Sequence, residues 1–248
     1  MAADDSRFDL FISLDKSGLK NGLALIGLFW AAKVSISFVF DLLKAVRIYV
    51  LAQIARRKDF AVKYGGRWAV VTGASEGIGK AFACELARRG MNVVLMSRST
   101  QKLEKVADTI VNNVGVMYDY PQYFLDVPNQ MTRIVLPQMC KRKCGAIINM
   151  SSSAGQLPTP QMTVYAATKE FVDSFSRALA YEYSAQGVEV QSLRPFYVAT
   201  AMTYGVKPSI AVPSPDTYVK NALNTLGVSR RNTGYWSHAI QVLSYLTH

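Results

Sequence analysis

Thr72-Gly73-Ala74-Ser75-Glu76-Gly77-Ile78-Gly79 is the stretch of sequence that decides the fold class. It follows an apolar run at residues 67–72 and precedes residues 80–89, where apolar side chains recur at helical spacing before Gly90. Glycines between a strand and a helix let the backbone turn sharply and approach a pyrophosphate, which the helix N-terminus binds through its N–H groups. The residues expected to bind a dinucleotide here are Gly73, Ser75, Gly77, Ile78 and Gly79.

Strands and helices alternate along the rest of the chain. Further strands are expected at residues 92–96, 145–150 and 188–193, and further helices at residues 101–107, 132–143 and 166–185. This alternation predicts an α/β fold with a doubly wound parallel sheet.

Composition narrows the classes of function. The net charge of +11 suits an anionic membrane surface, a phosphate-rich cofactor or nucleic acid, but no nucleic-acid-binding motif occurs, so no nucleic-acid partner is expected. The three cysteines, Cys84, Cys140 and Cys144, lack the spacing of metal ligands. We therefore expect reduced thiols and no metal site.

Residues 22–40 are apolar except for Lys33 and a few serines, and a stretch of this length can just cross a hydrocarbon core. A lysine in mid-span is costly, so a spanning helix with a snorkelling lysine and an amphipathic helix in the interface both stay open. A cleaved signal peptide and a buried helix are the less favoured alternatives. Residues 1–65 are thus the expected membrane-anchor region, and residues 66–248 the soluble domain. The basic run at residues 56–58 favours a cytosolic domain.

Ser97-Arg98, directly after the strand at residues 92–96, indicates the cofactor. A site for NAD commonly has an acidic residue here, which accepts hydrogen bonds from the ribose hydroxyls. A serine and a guanidinium suit a 2′-phosphate instead, so NADP(H) is the expected cofactor. An ordinary surface arginine is the alternative.

Tyr165 and Lys169 are four residues apart, which places them on one face of a helix. A phenol is a poor base at neutral pH, but a neighbouring ammonium and a cationic nicotinamide favour phenolate and lower its pKa. Tyr165 is therefore the candidate general acid/base. Ser152 follows a strand and can point its hydroxyl at a substrate carbonyl, whereas Ser151 and Ser153 are expected to be structural neighbours.

The glycine loop at residues 72–79, Asn112-Asn113-Val114-Gly115, Ser152 and the Tyr165/Lys169 pair together resemble the short-chain dehydrogenase/reductase family, from about Arg67 onward. Within that family the chain is most similar to a membrane group. This group comprises 17-beta-hydroxysteroid dehydrogenases types 3 and 12, very-long-chain 3-oxoacyl-CoA reductases and, nearest, hydroxysteroid dehydrogenase-like protein 1. The stretches that carry this closer resemblance are residues 118–124, 191–202 and 233–238.

The resemblance implies a Rossmann-like fold with defined roles at the site. Tyr165 would exchange the proton, Ser152 would hold the substrate oxygen, and Lys169 would also bind the nicotinamide ribose. The remaining residues implied to line the cofactor are Asn112, Asn113, Gly115, Pro195 and Thr200, with Thr200 reaching the carboxamide. The family often has glycine after the proline, where this chain has Phe196, which changes the pocket wall.

The resemblance also implies an activity, an NADP(H)-dependent interconversion of carbonyl and alcohol in lipid or steroid metabolism. The substrate would be a hydrophobic keto-steroid or 3-oxoacyl-CoA, bound at a loop over residues 201–215. The expected location is the endoplasmic reticulum membrane, with the mitochondrion as alternative, and a homodimer is left open. The alternative function is a catalytically weak or inactive membrane-attached protein that binds cofactor or partners. Vertebrate members of the nearest branch are thought inactive because the tyrosine is replaced, whereas Tyr165 is intact here.

Two junctions are shorter than the family pattern. Only residues 99–111 separate Arg98 from Asn112, where the family has a helix, a strand, a second helix and the start of another strand. Because one parallel crossover takes about a dozen residues, one strand–helix unit is expected to be missing. After Pro128 the front of a helix is expected to be missing as well, together with the asparagine of the family's catalytic tetrad.

We predict that the protein binds NADPH more tightly than NADH, because Arg98 replaces the acidic residue that would serve NAD. Fluorescence titration of both cofactors into the wild type and Arg98→Ala measures this, and the preference should be lost in the variant. Equal affinities of the wild type for the two cofactors would contradict the prediction.

Overall fold

The computed structural model describes residues 5–54, 60–64, 68–96 and 129–246. Its α-helices are α1 (Asp5–Val46), α2 (Ala52–Ile54), α3 (Phe60–Lys63), α4 (Gly77–Arg88), α5 (Asn129–Arg142), α6 (Thr163–Tyr183), α7 (Pro215–Asn224) and α8 (Trp236–Leu246). Its strands are β1 (Trp68–Thr72), β2 (Asn92–Met96), β3 (Gly145–Met150), β4 (Val188–Leu193) and β5 (Arg231–Asn232). A π-helical turn spans Arg47–Leu51, and 3₁₀ turns span Ser153–Gly155, Ser184–Gln186 and Ala201–Thr203.

The chain divides into two compact units, Met1–Val46 and Arg47–His248. The first unit is the long helix α1, whose apolar side chains are exposed to solvent from Leu19 onward. By length and composition, Gly18–Ile54 is the one stretch within the described residues that could cross a membrane. The expected membrane segment at residues 22–40 lies inside this stretch, which is longer at both ends.

All described strand pairs in the second unit are parallel. β1 pairs with β2 in one sheet, and β3, β4 and β5 form another in that order. In β4 the side chains alternate between the two faces, as the period of a strand requires: Val190 packs with α5 and α6, whereas Leu193 packs with α4 and α7.

Helices cover both faces of the β3–β4–β5 sheet, which is the doubly wound arrangement expected from the sequence. One core cluster joins α4 and α7 to Leu193, and Val71 of β1 packs against the same cluster. The two sheets therefore share a core. On the opposite face, Leu136 of α5 and Leu179 of α6 pack against Ile147. The described part of the chain is thus an α/β fold of the Rossmann type.

The expected strands at 92–96, 145–150 and 188–193 match β2, β3 and β4, and the strand expected at 67–72 begins at Trp68. Helix α4 begins at Gly77, three residues before the expected start, and α5 begins at Asn129 rather than at residue 132. The expected helix at 101–107 and the missing strand–helix unit after Arg98 lie outside the described residues.

Gly187 links α6 to β4 with a left-handed backbone, φ +75°, and a Cβ atom there would overlap the carbonyl oxygen of Lys143. Gly205 has a similar φ of +72° but nothing within 4 Å of an added Cβ. We predict that Gly205→Ala costs only the left-handed backbone penalty of about 1–2 kcal/mol. Gly187→Ala should cost clearly more, because backbone must also move.

Thermal unfolding of the detergent-solubilised variants, followed by circular dichroism, measures the difference. Equal melting temperatures for the two variants would contradict the packing at Gly187.

Candidate active site

The glycine loop after β1 is a tight turn at the N-terminus of α4. Gly73 has φ +71°, and its N–H donates to the carbonyl oxygen of Met96 at the end of β2 over 2.8 Å. Gly77 has φ +61°, and a Cβ atom there would approach Cγ2 of Thr200 to 3.3 Å. Both conformations are unfavourable for residues with a side chain. The two glycines therefore let the backbone turn sharply into the N-terminus of α4.

The other residues of the loop complete a cradle suited to a dinucleotide pyrophosphate. Gly79 is buried within α4, Ile78 packs against the core cluster, and Ser75 is half-buried. The loop closes the carboxyl end of β1, where parallel α/β sheets bind nucleotides. Helix α4 is 12 residues long, so its N-terminus carries the partial positive charge of the helix dipole, which favours a bound phosphate.

Ser152, Tyr165 and Lys169 come together at the carboxyl end of β3. The Ser152 side chain hydrogen-bonds the Tyr165 phenol. Lys169 Nζ lies 5.6 Å from the centroid of the Tyr165 ring and donates to the Met150 carbonyl oxygen over 3.1 Å. Four-residue spacing on α6 puts the phenol and the ammonium on one helix face, as expected.

The neighbouring serines have different surroundings. Ser151 is buried and its hydroxyl donates to the Lys169 carbonyl oxygen over 2.5 Å. Ser153 is also buried, and its hydroxyl donates to the Arg194 carbonyl oxygen over 2.9 Å. Ser152 alone of the three is half-buried and faces the phenol. Ser151 and Ser153 therefore hold the backbone in place through their hydroxyls, whereas the Ser152 hydroxyl faces Tyr165.

Burial dominates the electrostatics of the site. Desolvation raises the pKa of Tyr165, against the hydrogen bond from Ser152, which lowers it. Desolvation likewise lowers the pKa of Lys169 to about 8. We expected a neighbouring ammonium and a cationic nicotinamide to lower the pKa of the phenol. In the protein the pKa of Tyr165 is raised instead, because burial is the largest influence on it, and burial also favours the neutral form of Lys169.

The segment after β4 brings two more of the expected residues to the site. The carbonyl oxygen of buried Pro195 accepts from the Ser153 N–H over 3.0 Å. Thr200 lies against Gly77 and is fixed by a hydrogen bond from its N–H to Thr203 Oγ1 over 3.0 Å. Four other expected cofactor residues, Arg98, Asn112, Asn113 and Gly115, lie outside the described residues.

Phe196 takes the position where the family often has glycine. Its ring packs against Tyr197 and against Tyr245 of α8, with centroids 5.0 and 5.6 Å apart. Its N–H donates to Nδ1 of the buried His238 over 3.3 Å, so Nε2 carries the proton and donates to the Tyr197 carbonyl oxygen. Burial lowers the pKa of His238 to about 4, which keeps this imidazole neutral. Phe196 thus fastens the segment after β4 to α8.

The sequence analysis missed Asp173, a buried residue that fixes the position of the helix carrying Tyr165 and Lys169. Asp173 is fully buried on α6, four residues after Lys169 and therefore on the same helix face. It accepts from Ser192 Oγ over 2.6 Å and from Arg231 Nε over 2.8 Å. Burial opposes its ionisation, but these hydrogen bonds and the nearby guanidinium groups hold the pKa of Asp173 below its ordinary value. The repeated four-residue spacing was the signal that could have found it.

A glycine-rich turn before a helix, together with a Ser–Tyr–Lys cluster at the strand ends, is the arrangement typical of the class of oxidoreductases that bind a nicotinamide dinucleotide. The family model for short chain dehydrogenases matches residues 67–130 and 127–210. The chain belongs to the short-chain dehydrogenase/reductase family.

Two relatives show where in the family the chain lies. It is 40% identical to the human inactive hydroxysteroid dehydrogenase-like protein 1 over 301 positions, covering 98% of this chain and 91% of that protein. It is 37% identical to very-long-chain 3-oxoacyl-CoA reductase-B of Danio rerio over 271 positions, covering 86% of each chain. Both alignments are longer than the 248 residues of this chain, so both relatives contain residues without a counterpart here.

A solved structure supports the fold independently. A 7beta-hydroxysteroid dehydrogenase superposes with a TM-score of 0.63 over 77% of this chain and 95% of its own, at 20% sequence identity. At that identity the likeness concerns the fold alone.

The lowered pKa of Lys169 predicts a pH-dependent stability. Because the pKa is about 8 in the folded chain and 10.5 in the unfolded chain, the unfolded chain binds more protons between these values. The free energy of unfolding should therefore gain from this group as pH rises through that window. Lys169→Met should lose that gain.

Denaturant unfolding in detergent between pH 7.5 and about 10 measures the effect. Lys207→Met, which removes the same charge from an exposed loop, is the matched control and should behave as the wild type. An unchanged pH profile in Lys169→Met would contradict a desolvated ammonium.

Proposed function

We propose that this protein is an NADP(H)-dependent oxidoreductase that interconverts a carbonyl and an alcohol on a hydrophobic substrate. The observation that carries the proposal is the cluster in which Ser152 hydrogen-bonds Tyr165 while Lys169 lies over the same ring. A keto-steroid and a 3-oxoacyl-CoA are the two substrate classes that the relatives' names suggest.

The residues of the site divide the chemistry among them. Bound NADPH would supply the hydride. Ser152 would donate a hydrogen bond to the carbonyl oxygen and stabilise its developing charge. Tyr165, which its raised pKa keeps protonated, would deliver the proton to that oxygen. Lys169, held by the Met150 carbonyl, would bind the nicotinamide ribose and shape the field around the phenol.

Exposed apolar side chains next to the site support a hydrophobic substrate. The loop that follows Thr200 carries Met202, Tyr204, Val206 and Ile210, all exposed. Tyr197 precedes this loop and lies close enough to Tyr165 to raise its pKa further. Apolar side chains offer no hydrogen bonds to a polar substrate, so this loop favours a lipid or a steroid.

The second candidate function is a catalytically weak or inactive membrane protein that binds cofactor or partners. One observation favours it: the alignments to both relatives contain positions that this chain lacks. The structure adds that the side chains on one face of the β1–β2 sheet, Trp68, Val70 and Met96, are substantially exposed. Exposed apolar sheet surface is an aggregation hazard. We therefore propose that the 248-residue form is poorly stable and only weakly active.

We predict that inserting family-length segments at the junctions after residues 110 and 128 raises the rate of NADPH oxidation with keto-steroids or 3-oxoacyl-CoAs. Positioning errors of about 1 Å can cost about 10²-fold, so the restored frame should recover a large factor. Tyr165→Phe in the restored protein should lose about 10²–10⁴-fold, because the acid is removed while packing is kept. A 248-residue form that unfolds cooperatively and turns over as fast as the restored one would contradict the prediction.

We further propose stable membrane attachment through residues 22–40, on the endoplasmic reticulum with the domain on the cytosolic side, and the mitochondrion as alternative. The exposed apolar stretch Gly18–Ile54 supports attachment. Full-length chain should resist carbonate extraction from microsomes, whereas a version beginning at Gly65 should be released. Release of both versions would refute the anchor.

A further inference from the structure

The second unit carries an apolar surface of its own, separate from the long helix. On α8 the exposed side chains Trp236, Ile240 and Leu243 recur at the spacing of one helical stripe. The opposite stripe of the same helix, with His238 and Val242, is buried in the domain. Helix α8 therefore presents apolar side chains on its more exposed face.

The loop after Thr200 extends this stripe. Tyr204 and Ile210 are 90% and 71% exposed, against 60% for Ile240. Gln241 of α8 donates to the Ala211 carbonyl oxygen over 2.9 Å, so helix and loop are in direct contact. We call the exposed side chains of both elements the apolar surface; they are Met202, Tyr204, Val206, Ile210, Trp236, Ile240 and Leu243.

The charge of this surface also distinguishes it from ordinary solvated surface. Residues 232–246 include no Asp, Glu, Lys or Arg, and residues 195–212 include Lys207 alone. Soluble surfaces of this extent normally carry charges of both signs. Aromatic side chains and a lysine beside aliphatic ones are typical of the boundary between lipid headgroups and acyl chains.

The end of the apolar stretch Gly18–Ile54 lies next to helix α8, which carries part of the apolar surface. Within the second unit, Tyr49 hydrogen-bonds Thr233 Oγ1 over 2.7 Å and accepts from the Thr233 N–H over 3.2 Å. Thr233 directly follows β5 and lies three residues before Trp236. The last turns of the candidate span are therefore fixed next to the first turn of α8.

The chain then runs to the opposite end of the strands. Lys63 donates to Glu189 over 3.1 Å, and Glu189 lies at the beginning of β4. The segment thus enters the domain at the carboxyl ends of the strands, where the glycine loop, Ser152 and Thr200 lie, and leaves toward their amino ends. Residues 47–54, the part of the apolar stretch that belongs to the second unit, therefore lie at the end of the sheet that carries the candidate site.

We propose that the apolar surface of α8 and the loop after Thr200 lies in the lipid bilayer, so that the active site opens toward the membrane interface. The proposal rests on the membrane attachment proposed above. An interfacial helix of this kind is buried about 5–10 Å into the boundary between headgroups and acyl chains. A substrate dissolved in the bilayer would then reach Ser152 and Tyr165 past the loop without crossing water.

The three tryptophans of the chain provide the test, because each reports on a different place. Trp30 lies in the apolar stretch, Trp236 on the apolar surface, and Trp68 opens β1 at the amino end of its strand. Three full-length variants, each retaining one tryptophan with the other two changed to phenylalanine, are reconstituted into phosphatidylcholine vesicles. The lipids are brominated either near the glycerol end or deep in the acyl chain.

We expect shallow bromine to quench Trp236 strongly, deep bromine to quench Trp30, and neither to quench Trp68. Ile210→Lys with Ile240→Lys should reduce the quenching of Trp236 at least severalfold, because two charges oppose insertion. The matched control is Tyr181→Lys, which replaces an even more exposed side chain on α6 and should leave quenching unchanged.

The outcomes separate this proposal from the anchor. Quenching of Trp30 without quenching of Trp236 would leave the anchor intact and overturn the bilayer contact of α8. A cross-link between Ile240→Cys chains under those conditions would then assign the surface to a second copy of the chain. If no tryptophan is quenched, the membrane attachment itself fails.

Discussion

The in-register parallel pairing of β3 with β4 is the constraint on which the site depends. It runs from Gly145 opposite Val188 to Met150 opposite Leu193. The backbone hydrogen bonds continue past the strand ends, where the Ser151 N–H donates to Leu193 and the Ser153 N–H donates to Pro195. Ser152 therefore lies between two residues, Ser151 and Ser153, whose backbone N–H groups are hydrogen-bonded. The Met150 carbonyl, the last of the strand, is left to accept from Lys169.

Helix α6 is fastened to this frame by polar contacts at successive turns. Lys169 meets the end of β3, and Asp173 binds Ser192 of β4 and Arg231 of β5. Removing one partner of a buried ionic group is strongly destabilising, so this lower contact resists any sliding of the helix. Tyr165 lies on α6 one turn before Lys169, so the same contacts fix its position. The geometry of the candidate site thus follows from the register of the sheet and one buried carboxylate.

Much of the fold followed from periodicity, because apolar runs bounded by turn residues mark buried parallel strands. The sequence could not place the start of α4, since Gly77 has low helix propensity and its left-handed φ is visible only in three dimensions. Tyr165 and Lys169 were predictable because their spacing is local. The contact between Gly77 and Thr200 joins residues far apart in sequence, and only the family resemblance pointed to Thr200. The direction of the Tyr165 pKa shift was missed because it depends on burial, which spacing does not reveal.

Transfer of deuterium from the cofactor would show directly whether this cluster reduces a carbonyl. The full-length chain in lipid vesicles, with its segments restored at both junctions, would be incubated with NADPH deuterated at the nicotinamide C4 and a panel of keto-steroids and 3-oxoacyl-CoAs. Mass spectrometry would locate the label in the products. We expect one deuterium on the new carbinol carbon of at least one substrate. Saturable NADPH binding without deuterium in any product, from a chain with intact Ser152, Tyr165 and Lys169, would contradict it.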